Sequence, residues 1–140
     1  MDEKIKLTKW IETAMKAREM AYAPYSGFCV GAALVTIDGK IYTGCNVENA
    51  SFGATNCAER TAIFKAISEG ERSFQAIVIA GGPKGEKPEN YAYPCGMCRQ
   101  VMIEFCKDDF KVICAKSTEE YQIFSLAELV PHGFAKEAMN

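Results

Sequence analysis

The dipeptide Asp38-Gly39 stands between two runs, 28–36 and 40–46, that are rich in Val, Ile, Leu, Tyr and Thr. Asp-Gly accepts the backbone angles of a tight two-residue turn, so the pattern predicts an antiparallel β-hairpin. A hairpin cannot bury its own apolar face, and the rest of the chain must supply the cover. Three helices are predicted for that purpose. Leu7, Trp10, Ile11, Ala14, Met15 and Ala21 recur at helical spacing from about Lys4 to Tyr22, before Pro24 and Gly27 break the pattern. Ala62, Ile63, Ala66 and Ile67 share a face over Cys57 to Ser68, and Cys98, Val101, Met102 and Phe105 share one over Cys95 to Phe105, behind Pro94. Further strands are expected at Gln75 to Gly81, Phe110 to Ala115 and Tyr121 to Phe124, with a loop over Gly82 to Tyr93. Ser125-Leu-Ala-Glu128 has capping-box spacing for a last short helix. Strands alternating with helices predict an α/β fold, a three-layer α/β/α arrangement around a central mixed β-sheet, in one domain spanning 1–140. The hairpin supplies antiparallel pairing and the later helical crossovers parallel pairing.

With 140 residues and a net charge of -2, the chain has no long basic run. It lacks the footprint of a protein that binds nucleic acid through its phosphates, so no nucleic-acid partner is expected. The first residues alternate charged and apolar types, and neither a signal peptide nor a membrane span is readable there. A cytoplasmic protein with no membrane partner is expected. Seven cysteines form an odd set spread through apolar segments, which favours reduced thiols and metal binding over a disulfide framework.

Cys95-Gly-Met-Cys98 puts two sulfurs nearly one helical turn apart on one face, a spacing that suits one tetrahedral metal. Alone, the motif fits half a structural zinc site, a redox pair or two packed cysteines equally well. Cys57-Ala58-Glu59 adds a third thiol. Three protein ligands, rather than four, leave a zinc position open for water. Both motifs begin helices, whose unpaired N–H groups favour thiolates. Three negative sulfurs weaken zinc as a Lewis acid, so Arg60 is expected to draw charge from them; the bland alternative is a solvated helix residue. Glu59, two residues from a ligand, can lean toward the metal without binding it, as a proton shuttle must. First-turn glutamates are also common on helix-dipole grounds alone.

These strings, Asn56-Cys-Ala-Glu-Arg-Thr61 and Pro94-Cys-Gly-Met-Cys-Arg-Gln100, closely resemble the small cytidine deaminases. The likeness extends to Tyr25–Ala33, Gly44–Asn49 and Leu129–Phe134, nearly the whole chain. It implies the cytidine deaminase-like fold and one Zn2+ per chain on Cys57, Cys95 and Cys98, with Glu59 shuttling protons. It further implies backbone contact with the pyrimidine around Ala58, ribose contacts from Asn46 and Glu48, packing of Phe28 on the nucleoside, and Phe134 reaching a neighbouring subunit's site. A homotetramer with sites near subunit interfaces follows, acting on a small nucleoside, cytidine or deoxycytidine. Asn46 and Glu48, alternate residues at a strand end, can face one side; Phe28 and Phe134 read without the likeness would be core residues. His132 is the only histidine and lies outside both motifs, which favours the nucleoside branch over histidine-ligated nucleotide or polynucleotide deaminases. The rivals are a blasticidin S-type deaminase with the same three-cysteine site, a noncatalytic zinc module closed by Cys45 or Cys106, and a nucleic-acid editing enzyme, which the acidic balance disfavours. Cys29, Cys45, Cys106 and Cys114 have no assigned role.

Overall fold

The computed structural model describes residues 2–139. Five strands form one sheet in the order β2-β1-β3-β4-β5, where β1 is Phe28–Thr36, β2 Ile41–Cys45, β3 Phe74–Pro83, β4 Lys111–Ala115 and β5 Tyr121–Ser125. α1 (Glu3–Ala17) covers one face, with Ile11 and Ala14 fully buried against Ala33, Val78 and Ile113. α2 (Ala58–Ser68) and α3 (Gly96–Phe105) cover the other, where Ala62, Ile63 and Met102 meet Leu34, Ile77 and Val112. The alternation of side chains along β1 makes this possible: Ala33 and Val35 point one way, Ala32 and Leu34 the other, and all four are buried. Three layers with a mixed sheet result, as the sequence pattern predicts.

Among the described residues one helical crossover gives parallel neighbours, where the sequence pattern expects parallel pairing from the later helical crossovers. α3 connects β3 to β4, which pair in parallel from Ala76↔Lys111 to Ile79↔Cys114. α2 instead carries the chain past β1, and β3 pairs antiparallel on the far side of it. The hairpin turn also differs. Thr36 N donates to Lys40 O at 2.9 Å and Gly39 N to Thr36 O at 3.0 Å, which encloses three residues, Ile37 to Gly39, rather than two. Gly39 at φ +92 supplies the left-handed residue that ends such a loop.

The first helix is shorter than its periodicity. It ends at Ala17, and Arg18–Met20 form a 3-10 turn because Arg18 swings inward. Its Nε donates to Cys29 O at 2.9 Å, and its Nη2 to Pro83 O at 3.2 Å and Glu86 O at 3.1 Å. β3 runs two residues past its predicted end, through Gly82 and Pro83. The glycines there relieve a close approach: a Cβ on Gly81 would sit 3.0 Å from the side chain of Ala92, and one on Gly82 3.0 Å from the backbone of Pro88. The loop before α3 thus lies on the end of β3. The capping box forms, with Glu128 N donating to Ser125 Oγ at 3.2 Å and Ser125 N to Glu128 Oε1 at 2.8 Å. Among the described residues no helix is long and apolar enough to cross a membrane.

Candidate metal centre and active site

Two helices aim their first turns at one point. Cys57 is the N-cap of α2 and Cys95 the N-cap of α3, and neither sulfur caps a backbone N–H of its own helix. Cys98 follows one turn into α3, fully buried. The Cys57 and Cys95 sulfurs lie 3.7 Å apart, and those of Cys95 and Cys98 3.6 Å. Zinc–sulfur bonds of about 2.3 Å at tetrahedral angles require sulfurs about 3.8 Å apart, so the three thiols fit that ion. Among the described residues this is the one group of three or more His, Cys, Asp or Glu side chains close enough to share a metal. Cys45 and Cys106 lie outside it, which removes the closed four-ligand module. Burial pushes the thiols of Cys106 and Cys114 up to about 12, as for small apolar core residues.

The charge pattern suits a thiolate site. Hydrogen bonding from the Cys98 thiol, then from Arg60, draws Cys57 below the usual thiol range against the opposing effect of burial. The same bond, with burial, pushes Cys98 up. One thiolate is thus favoured even before a cation arrives. Arg60 Nη2 donates to Cys57 Sγ at 3.4 Å, so Arg60 is not a solvated surface residue. Its Nε is buried with no partner among the described residues.

Glu59 is 4% exposed, and burial raises its carboxyl to about 7. A protonated form is therefore accessible near neutral pH. Glu59, Ala58, Cys57 and Cys95 line a cavity of about 280 Å3 together with Phe28, Asn46, Thr55, Ala92 and Tyr93. That volume is at the lower edge of the roughly 300 Å3 and upward seen for small-molecule sites.

Asn46 is buried and clamps the start of β1: its Oδ1 accepts from Val30 N at 2.9 Å, and its Nδ2 donates to Phe28 O at 2.8 Å. One N–H and one lone pair of the amide remain. Glu48 faces an adjoining hollow with Tyr25, Ser26 and Phe52, separated from the cavity at Thr55. Its carboxylate accepts from Tyr25 N at 2.9 Å, Ser26 N at 3.1 Å and the Ser26 hydroxyl, which hold it below the usual carboxylate range, the hydroxyl most strongly. Asn46 and Glu48 thus occupy neighbouring hollows. Phe134 is 61% exposed, lies outside the cavity lining, and accepts through its carbonyl from Gln100 Nε2 at 2.7 Å. Phe28 is 42% exposed at the cavity. Neither phenylalanine is a core residue of this chain.

Sequence reasoning does not single out Thr55, Ala92 or Tyr93. The one local signal is the string Tyr91-Ala-Tyr93-Pro immediately before the C-x-x-C motif.

The profile of the cytidine and deoxycytidylate deaminase zinc-binding region matches residues 4–115. A cytidine deaminase of Halalkalibacterium halodurans is 50% identical over 130 residues, which cover 93% of this chain and 95% of that protein. The crystal structure of cytidine deaminase from Burkholderia pseudomallei superposes with a TM-score of 0.83 at 47% identity, covering 96% of this chain and 100% of that one. A blasticidin-S deaminase of Bacillus cereus is more distant, 34% identical over 87 residues that cover 60% of this chain and 62% of that protein.

Proposed function

The chain belongs to the cytidine deaminase family, and on that premise we propose that its cavity converts cytidine and deoxycytidine to uridine and deoxyuridine. Water is consumed and ammonia released. The observation that carries the reading is the meeting of three thiols at zinc spacing with a buried carboxyl in one cavity. Cys57, Cys95 and Cys98 would hold one zinc per chain. A zinc ion with three protein ligands keeps a coordination position open and supplies a hydrolytic nucleophile near neutral pH.

The chain's own groups do the rest. Glu59 takes one proton from the incoming water and delivers it to ring N3, then takes the second from the hydroxyl formed at C4 and gives it to the departing amine, so one carboxyl serves as base and acid. Its burial supports both roles. Arg60 neutralises charge on Cys57 and keeps the site electrophilic. The backbone at Ala58 meets the pyrimidine, Phe28 packs on the nucleoside, and the spare amide groups of Asn46 with Glu48 bind ribose hydroxyls. The exposed Phe28 and Phe134 support assembly, with Phe134 of another copy closing the open side of the cavity in a homotetramer. The setting proposed for this chemistry is the cytoplasm. The proposed reading assigns the cavity and its chemistry to a single domain, 1–140.

Glu59→Gln tests the assignment. Cytidine turnover is expected to fall about 10²–10⁴-fold with zinc content unchanged. Wild-type turnover in a zinc-loaded Glu59→Gln protein would exclude Glu59 as the proton carrier.

A further inference from the structure

Tyr93 lines the substrate cavity although half of its surface faces solvent. Its backbone has little freedom, because Pro94 confines the preceding residue to extended angles. Its side chain is fixed from elsewhere in the fold. The phenol donates to Gln122 Oε1 at 2.7 Å, and the ring meets Phe124 edge-on with centroids 6.1 Å apart. Both partners lie on β5, the edge strand, which contributes nothing directly to the cavity lining. Tyr91 stands alongside, its ring 6.3 Å from that of Tyr93 and covered by the Lys116 ammonium at 4.8 Å. Tyr91 does not line the cavity.

We propose that Tyr93 is a specificity-determining wall of the nucleoside cavity and that Gln122 is the positioning residue that holds it. The inference rests on the proposed nucleoside chemistry and names a part of the site outside it. A half-exposed aromatic side chain samples several rotamers, and a ligand that packs on it must pay to select one. The Gln122 tether makes that selection before substrate arrives. In a cavity of only about 280 Å3, one unfixed wall changes the fit of the whole ligand. Tyr93 precedes the ligand Cys95 by two residues, but the tether acts on its phenol from the other side: Gln122 and Phe124 belong to β5, while Glu59 and Cys57 belong to the start of α2. Loss of the tether therefore weakens substrate binding and spares the chemical step.

The test compares Tyr93→Phe, Gln122→Leu, the double variant, Gln122→Glu and Tyr91→Leu, with kcat, KM for cytidine and zinc content measured on each. Loss of one hydrogen bond predicts a KM rise of about three- to tenfold in both single variants, with kcat and zinc unchanged. The double variant should be no worse than either single one. Gln122→Glu keeps an acceptor for the phenol and should restore KM, and Tyr91→Leu should behave as wild type. KM values within about twofold of wild type, additive effects in the double variant, or an equal rise in Tyr91→Leu would each overturn the inference alone. A wild-type protein that leaves cytidine unchanged would overturn the nucleoside reading and this inference with it.

Discussion

Gly44 on β2 faces the first turn of α2 at a distance that only a hydrogen in place of a side chain permits. A Cβ there would stand 2.3 Å from Ala58 O and 2.5 Å from Ala62 N, where ordinary contact begins at 3.4 Å. Gly44→Ala must therefore move backbone by about 1 Å, and the backbone that moves lies between the ligand Cys57 and Glu59. Overpacking of this kind costs about 1–3 kcal/mol, and a misplacement of about 1 Å at reacting groups costs about 100-fold in rate. The expected result is a thermal midpoint lowered by several degrees and kcat/KM for cytidine reduced about 100-fold. Gly31 provides the matched control. Its Cβ would stand 2.1 Å from Ala14 O of α1, an equal insult on the opposite face of the sheet. Gly31→Ala should lose comparable stability while the folded fraction keeps kcat/KM within about threefold of wild type, as expected when the site is not displaced. Thermal melts and steady-state assays of both variants decide the matter. Equal losses of specific activity, or a Gly44→Ala protein with wild-type rate, would refute the claim that β2 sets the position of the α2 N-terminus.

Other consequences follow from the same geometry. Arg60→Ala removes the 3.4 Å contact to Cys57 Sγ and should weaken zinc affinity about 10–100-fold, read by competition with a chromophoric chelator. Asn46→Ala strips partners from Val30 N and Phe28 O; urea denaturation should show about 1–3 kcal/mol of lost stability, with a raised KM for cytidine. An Arg60→Ala protein with wild-type zinc affinity would deny Arg60 its hold on the thiolates. An Asn46→Ala protein that loses stability at unchanged KM would leave Asn46 a purely structural clamp.

The parts of the site legible in the sequence are those whose spacing is local. Cys95 and Cys98 are one helical turn apart, and Glu59 is two residues from Cys57, so helix geometry alone relates each pair. The meeting of Cys57 and Cys95, 38 residues apart, is a tertiary event; in sequence the two motifs are joined by the ligand count of an open zinc site and by the family resemblance. The hairpin length is ambiguous in sequence because Asp-Gly suits both a two-residue turn and the left-handed end of a three-residue loop. Gly82 reads as the start of a loop, yet it lies within β3, where the backbone of Pro88 packs against it too closely for a side chain. Arg18 fits the helical periodicity, and nothing nearby in sequence reveals that carbonyls 11, 65 and 68 residues away hold it. Tyr93 is silent for the same reason: its partner Gln122 is 29 residues away.

Deamination of a free pyrimidine nucleoside by a zinc-loaded three-thiol site beside Glu59 can be followed in the cytosine absorbance band after purified protein meets cytidine, with zinc determined on the same sample. The band should be lost with about one zinc per chain, the count that a three-ligand open site implies. A protein that carries that zinc and leaves the band unchanged would show that this site does not deaminate cytidine.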